Sequence, residues 1–311
     1  MSAVIPSAFS FESFSDEADR YLSQYEAIKN IVQQVGDQIP SRLKDAYFAR
    51  IKYPIYSAAA MATKWLEWKR AKLSDKNPEL QLTASIKSLA AYEQIQDLTD
   101  YYNTKLSDGK WQYLMSDHPR DLLVFEKPSF DNPPTKQQVD GYKASHKSNK
   151  HRSFEIRQDD SFIVRNASNF DNSSFKPQPE PMLGHSMNSV ALPKAEVLTY
   201  QFTALQSGAA LLRTAVIPTH PNDDGDIRYS VQIDQQKPII ISFRQMGRTE
   251  AWKQNVLRGQ AVALNPIILS KGRHQLKIKA LDDHVIFDQW MIDFKRERKS
   301  YLFPVAPVEI P

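Results

Sequence analysis

The spacing of apolar residues changes once along the chain, and this change limits the fold more than any other feature. Up to about residue 106, apolar side chains recur at helical spacing, as in Tyr21, Tyr25 and Ile28. After about residue 150, short segments alternate between apolar and polar residues, which is the period of a half-buried strand. The sequence therefore predicts an α+β protein with two domains, an N-terminal α-helical bundle followed by a C-terminal antiparallel β-sandwich.

The helical half contains its own start and stop signals. Ser15 is the predicted N-cap of the first helix, because acidic residues follow it in the first turn. A second helix is predicted over residues 42–72, with a kink just before Pro54, which removes one backbone hydrogen bond. A third helix is predicted from Pro78 to about Leu106. Turn-forming and basic residues follow, so we place the domain boundary after residue 135, with domains 1–135 and 136–311.

The β half is predicted to contain about eight short strands separated by turns. They lie at 154–157, 161–167, 197–205, 210–218, 227–233, 238–244, 273–281 and 285–294. The Pro-rich segment 169–193 is predicted to be a surface loop, and the segment EAWKQN around Trp252 is predicted to be loop-like. In the strand near residue 276, Leu276, Ile278 and Ala280 are expected to face the core.

Composition excludes several classes of site and partner. The chain has no cysteine among its 311 residues, which excludes disulfides, zinc thiolate sites and a cysteine nucleophile. Its formal net charge of +4 is small for this length, and nucleic-acid binding usually needs a denser basic stripe. No apolar run is long enough to span a membrane. The N-terminal segment MSAVIPSAFSFESF has no basic start and no long apolar stretch, so no signal peptide is predicted.

One acidic run deserves comparison with a metal site. Asp223, Asp224 and Asp226 have the oxygen ligands that Ca²⁺ prefers, but the twelve-residue EF-hand loop is missing. A solvated turn at Asp224-Gly225 explains the run more simply. The histidines are scattered, and His274 is interpreted as a structural residue. We predict no metal ligand and no cofactor.

Three stretches, in this order and spacing, resemble the C-terminal region of glycoside hydrolase family 115, the xylan α-glucuronidases. They are YFARIKYPIYSAAAM (47–61), DLTDYYNTKLSDGKWQYLM (97–115), and the pair RYSVQIDQQKPIIISF (228–243) and GRHQLKIKALDDHVIFDQWMID (272–293). In that family a helical bundle follows the catalytic barrel, and a β-sandwich resembling carbohydrate-binding modules closes the chain. The resemblance covers roughly residues 14–303.

The resemblance implies a non-catalytic C-terminal portion of a xylan α-(4-O-methyl)-glucuronidase. This portion would support the catalytic barrel and the substrate cleft, with upstream catalytic domains and a homodimer as partners. No alternation of strand and helix presents a pair of catalytic carboxyls here, so no catalytic residue is assigned, and whether the chain is itself an enzyme stays open. The alternatives are a free-standing carbohydrate-binding module and a purely structural pair of domains. The implied ligand is glucuronoxylan or a related polysaccharide, and the implied location is extracellular or periplasmic.

If the β half binds sugar, exposed aromatic rings with nearby amides should carry the site. The candidates are Trp252, Asn255 and Tyr229. For Tyr229, which lies in an alternating strand, a core position is the competing explanation, and for Trp252 it is packing at the sandwich edge. Arginine pairs with carboxylates, so five arginines of the β half are further candidates for binding an anionic glucuronic acid. They are Arg213, Arg228, Arg244, Arg248 and Arg258. Generic surface charge explains their presence equally well.

Overall fold

The structure, a computed structural model, describes residues 8–14, 16–145, 161–221 and 225–304. The chain divides into two compact units, Met1–Phe154 and Glu155–Pro311. The first is helical and the second consists mainly of antiparallel strands, which confirms the predicted α+β class. The division falls later in the chain than the boundary predicted at residue 135. Among the described residues, no helix is both long and apolar enough to cross a membrane.

In the described part of the helical unit there are three long α-helices and two short ones. They are α1 (Glu17–Gln38), α2 (Lys44–Tyr47), α3 (Tyr53–Leu73), α4 (Pro78–Thr104) and α5 (Lys136–Ser145). Helices α3 and α4 form the central antiparallel pair, in which Ala60 packs against Ala91 and Ile95. These small side chains let the two helix backbones approach closely.

Pro54 is accommodated by a change of helix type and not by a break. A π-helical turn, Phe48–Lys52, precedes α3, and Pro54 lies in the first turn of that helix. The N–H of Tyr53 donates to the carbonyl of Phe48, five residues earlier, so the helical hydrogen-bond register shifts just before the proline, which has no N–H to donate. The irregularity thus falls where the sequence predicted a kink.

Helix α1 is capped by Asp16, whose carboxylate accepts a hydrogen bond from the backbone N–H of Asp19 at 3.0 Å. The predicted N-cap, Ser15, lies outside the described residues. Arg70 of α3 also binds the Asp16 carboxylate, at 2.6 Å, so the same side chain caps α1 and ties it to α3.

Helix α5 belongs to the helical unit. Its Val139 is buried against Leu89 and Ala90 of α4, and Phe130 and Tyr142 flank this contact. Because this helix completes the core of the first unit, residues 136–145 belong to that unit, whereas the predicted boundary assigned them to the sandwich domain.

The described residues of the second unit form two antiparallel sheets that share one core. In sheet A the order is β3-β4-β11-β6-β9, with β1 paired to β11, and in sheet B it is β2-β5-β10-β7-β8. The strands are β1 (Phe162–Asn166), β2 (Asn172–Ser173), β3 (Pro179–Pro181), β4 (Asn188–Leu192), β5 (Val197–Ala204), β6 (Gly208–Val216), β7 (Arg228–Ile233), β8 (Ile239–Ser242), β9 (Ala261–Leu269), β10 (Gly272–Ala280) and β11 (Val285–Asp293). One cluster of buried side chains, including Tyr200 of sheet B and Trp290 of sheet A, fills the space between them.

The predicted alternation of buried and exposed residues is confirmed in β10. Leu276, Ile278 and Ala280 of β10 are fully buried. The hairpin of β7 and β8 pairs Val231 with Ile239, as its strand-turn-strand pattern indicated. The predicted strand at 154–157 lies outside the described residues.

Two predictions for the β half were wrong, and one strand was missed. The segment 169–193, predicted as a loop, contains the short strands β2, β3 and β4. The loop-like segment around Trp252 is a helix, α6 (Glu250–Arg258). Strand β9 was not predicted, because Pro266 interrupts its apolar pattern. A proline is tolerated in a strand that, like β9, lies at the edge of its sheet.

A β-bulge in β11 places a charged group inside the second unit. The register with β6 shifts between Phe287 and Gln289, which leaves Asp288 as the extra residue. The bulge also keeps Phe287 and Trp290 on the core side although they are three residues apart.

Five hydrogen bonds hold the carboxylate of Asp288, which is 0% exposed. Its Oδ1 accepts from Ser189 Oγ at 2.7 Å and from the N–H and hydroxyl of Ser186. Its Oδ2 accepts from the N–H of His185 at 3.0 Å and from Gln260 Nε2 at 2.6 Å. A Cβ at Gly184, where φ is +76°, would overlap Ser189 Oγ and Asp288 Oδ1, so this turn requires glycine.

Replacing this carboxylate should destabilise the second unit more than a substitution at its surface. We expect Asp288→Ala to lower the free energy of unfolding by roughly 3 kcal/mol or more, because several buried donors lose a charged acceptor. Urea unfolding followed by circular dichroism measures the change. Asp283→Ala, at an exposed position in the turn before β11, is the matched control and should have little effect. Equal stability of the two variants would contradict the role given to Asp288.

Candidate functional site

Tyr229, one of the three predicted sugar-binding residues, is a core residue. Its side chain is 0% exposed, and its hydroxyl lies 2.6 Å from Thr214 Oγ1. Burial raises the pKa of Tyr229 well above its ordinary value. A ring without exposed surface has no face to offer a sugar, so the structure corrects this candidate in favour of the core interpretation.

Trp252 and Asn255 both lie on α6, at positions three residues apart, which places them on the same side of the helix. Each side chain is half-buried. Thr249 caps the helix by accepting a hydrogen bond from the backbone N–H of Trp252 at 3.2 Å, and Gly259 ends it in the left-handed conformation. These two signals could have revealed the helix in the sequence.

The junction after α6 is fixed by the buried network of Asp288. Gln260, which follows Gly259 and is 0% exposed, donates to Asp288 and also to Gln289 Oε1 at 2.8 Å. Gln289 in turn donates to Asn166 of β1 at 3.1 Å. Arg258, the last residue of α6, lies two residues before Gln260. The hydrogen bonds of Gln260 therefore fix the position of the Arg258 backbone.

Two of the five candidate arginines, Arg213 and Arg258, line one small cavity, which we call the arginine cavity. Its volume is about 130 Å³. A serine, a tyrosine and four apolar residues complete the lining, and none of the described lining residues is acidic. These residues are Ser300, Tyr301, Val262, Leu264, Leu302 and Phe303.

Arg213 extends from β6, where it pairs with Leu264 of β9. Its Nη2 donates to the backbone carbonyl of Arg298 at 2.6 Å and its Nη1 to Ser300 Oγ at 3.3 Å. This side chain therefore holds the segment after β11 against sheet A and contributes a positive charge to the cavity.

Arg258 enters the arginine cavity from the end of α6. Its guanidinium lies 4.8 Å from the centroid of the Tyr301 ring, in cation–π contact. Its Nε is buried and has no hydrogen-bond acceptor among the described residues. Burial lowers the pKa of His185, although Asp288 and a hydrogen bond to the backbone of Arg258 oppose this shift.

The other three candidate arginines do not join this cavity. Arg228 pairs with Asp282 through Nε at 2.8 Å, on an exposed surface. Arg244 and Arg248 are exposed and lie outside the lining. Generic surface charge is a sufficient explanation for these three residues.

The acidic run offers no metal site within the described residues. Asp223 and Asp224 lie outside them. Asp226 accepts hydrogen bonds from Ser242 Oγ at 2.6 Å and from the N–H of Ile227 at 2.8 Å. No group of three or more histidine or acidic residues in the described part of the chain is arranged to hold a metal ion.

The helical unit has a wider and more polar groove, with a volume of about 550 Å³. Its floor contains alanines of α3 and α4, among them Ala60 and Ala91, and amide and charged side chains line it. Most of its charges are already paired, as in Lys143, which lies 3.0 Å from both Glu93 and Asp97.

Two side chains with shifted pKa values serve packing and not chemistry. Burial lowers the pKa of Lys64 to about 8, but this ammonium is 0% exposed and donates to the carbonyls of Val124 and Glu126. Burial opposes the charged form of His274, yet contacts with Asp234 at 2.7 Å and the Ser270 carbonyl at 2.8 Å raise its pKa overall.

Comparison with known proteins finds a family model that matches the β unit and a solved structure that is similar to nearly the whole chain. Residues 149–306 match the model of the glycosyl hydrolase family 115 C-terminal domain. A solved family GH115 4-O-methyl-α-glucuronidase, BtGH115A, described as specific for decorated arabinogalactans, is 29% identical, with a TM-score of 0.71. That similarity covers 93% of this chain and 34% of the enzyme, so the chain spans about a third of its length.

Carbohydrate-binding modules are more distant. The C-terminal CBM6 of LamC from Zobellia galactanivorans has a TM-score of 0.30 at 15% identity, covering 42% of this chain and 98% of the module. The CBM35 of Abf62 from Cellvibrio japonicus has a TM-score of 0.33 at 12% identity, covering 42% of this chain and 92% of the module. Scores this low support no argument. No curated protein matches the chain significantly.

The contacts of His274 predict a pH-dependent stability. Because its pKa is raised on folding, its contribution is fully present below the unfolded value, about 6.5, and is lost as the pH rises through the folded pKa. Urea unfolding of the wild type should therefore show a loss of stability from this group as the pH rises above about 6.5, and His274→Gln should flatten that part of the profile. His220→Gln, at an exposed position, should leave the profile unchanged. An unaltered slope in His274→Gln would refute the ion-pair assignment.

Proposed function

The chain belongs to glycoside hydrolase family 115, and we propose that it is the non-catalytic C-terminal portion of a family 115 α-glucuronidase. The observation that carries this proposal is the similarity to BtGH115A, which runs through 93% of the chain and therefore includes both units. A match confined to the sandwich would have favoured an isolated module instead.

The arrangement of secondary structure supports a non-catalytic role. A catalytic (β/α) barrel needs parallel strands that alternate with helices, and its active-site residues lie at the carboxyl ends of those strands. The ladders of the described strands are antiparallel, and the long helices precede them in the chain. The carboxyl pair for hydrolysis would thus come from another part of the enzyme.

The proposed work of the helical unit is to pack against the catalytic part and to form a wall of the substrate cleft. An apolar stripe on α1 supports this, because Ile28, Ile31 and Val35 lie on one face and are 43%, 56% and 43% exposed. The same stripe could instead contact a second copy of the chain in a homodimer.

The proposed substrate of the parent enzyme is glucuronoxylan or a related polysaccharide that carries glucuronic acid. BtGH115A, described as specific for decorated arabinogalactans, widens the candidate backbones beyond xylan. Because such polymers occur outside the cytoplasm, we place the parent enzyme in the extracellular space or the periplasm.

A carbohydrate-binding role is the second candidate, and it rests on α6. Trp252 and Asn255 share one side of this helix and supply an aromatic ring and an amide. Trp252→Ala should then reduce retention on glucuronoxylan in affinity electrophoresis, whereas Trp111→Ala, in the helical unit, should not. Equal retention of the two variants and the wild type would remove this candidate.

The proposed role predicts that the chain alone has no hydrolytic activity. Incubation with methylglucuronic-acid-substituted xylo-oligosaccharides should release no methylglucuronic acid above the rate without protein. Turnover that disappears when one carboxylate of this chain is replaced would show that the proposal is wrong.

The role also predicts that the chain can replace its counterpart in a relative. BtGH115A lacking its matching third should lose thermal stability and most of its activity, and a chimera that carries this chain instead should regain both in part. A truncated enzyme with full activity and an unchanged melting temperature would argue against a supporting role.

A further inference from the structure

We propose that the arginine cavity binds the carboxylate of a uronic acid. The cavity is lined by two guanidinium groups and by no described acidic side chain. The guanidinium of Arg258 contacts the Tyr301 ring and is paired with no carboxylate among the described residues. A bound carboxylate would supply the missing counter-ion.

The two carboxylates that are buried in the described part of this unit, Asp288 and Asp293, are held by other groups. Asp288 is held by its five donors. Asp293 accepts from the backbone N–H of Lys295 at 2.9 Å and lies 3.6 Å from Arg298 Nε. Neither residue lines the arginine cavity, so neither is a counter-ion to Arg258 there.

The size and walls of the cavity favour one acidic group on a larger molecule. Its volume of about 130 Å³ is below the ≈ 300–1,000 Å³ typical of pockets that enclose a whole ligand. Leu264 is 56% exposed and Tyr301 is half-buried, so both offer apolar surface for the C–H face of a sugar ring. Arginine also presents a planar fork that fits a carboxylate in bidentate fashion.

The choice of a sugar acid over other carboxylates rests on the proposed function. The cavity would hold a glucuronic acid side group of the polysaccharide. It would thereby add affinity for decorated chains. The chimera experiment does not depend on this binding, so the two proposals can fail independently.

Isothermal titration of the full chain with glucuronate, glucose, acetate and inorganic phosphate at low, constant ionic strength tests the inference. We expect saturable binding of glucuronate and no saturation by glucose, which lacks the carboxylate. Arg258→Gln should weaken glucuronate binding on the order of tenfold or more, whereas Arg273→Gln, an exposed arginine on β10, should not change it. Thermal melting of each variant establishes that it is folded.

A second variant keeps the test decisive if Arg258→Gln does not fold. Leu264→Glu adds a carboxylate at the exposed edge of the cavity, and it should abolish glucuronate binding by competing for the same arginines. Absence of glucuronate binding at millimolar concentration, equal binding of glucose, binding of acetate or phosphate as tight as that of glucuronate, or loss of binding in Arg273→Gln equal to that in Arg258→Gln would each overturn the proposal.

Discussion

The buried carboxylate of Asp288 is the contact on which the β unit's polar architecture depends. It gathers donors from the turn before β4 and from the α6–β9 junction, segments far apart in the sequence. A charge removed from water in this way is stable only because its oxygens are saturated with donors. Through Gln260, this contact also fixes the end of α6 and the backbone position of Arg258. The side chain of Gln260 therefore links the buried carboxylate to the candidate site.

The spacing of apolar residues predicted those helices and strands that bury one face and expose the other. Leu276 and Ile278 alternate with lysines because one face of β10 meets the core, and that constraint is visible in the sequence itself. Strand β9 escaped prediction because its pairing with β6 outweighs the local penalty of Pro266. Helix α6 escaped because it is short, although Thr249 and Gly259 signalled its ends.

The candidate site could be predicted only as a set of residue types. Five arginines were candidates for an anionic sugar, and nothing in their spacing distinguished Arg213 and Arg258 from the rest. What joins them is the β6–β9 register, in which Arg213 lies opposite Leu264, together with the helix that precedes β9. Tyr229 failed as a candidate for the opposite reason, since its strand turned the ring toward the core. Long-range pairing, which local pattern does not encode, decided both outcomes.

Pro266 also bears on how copies of the β unit can associate. Strands β3 and β9 end the ordered path of sheet A, and both contain proline, at Pro179 and Pro181 in one and at Pro266 in the other. A proline has no N–H to donate to an incoming strand, so each of these borders resists extension by a further strand. Growth of sheet A into a continuous intermolecular sheet is thereby disfavoured at both ends of this path, and assembly would have to proceed through side-chain surfaces.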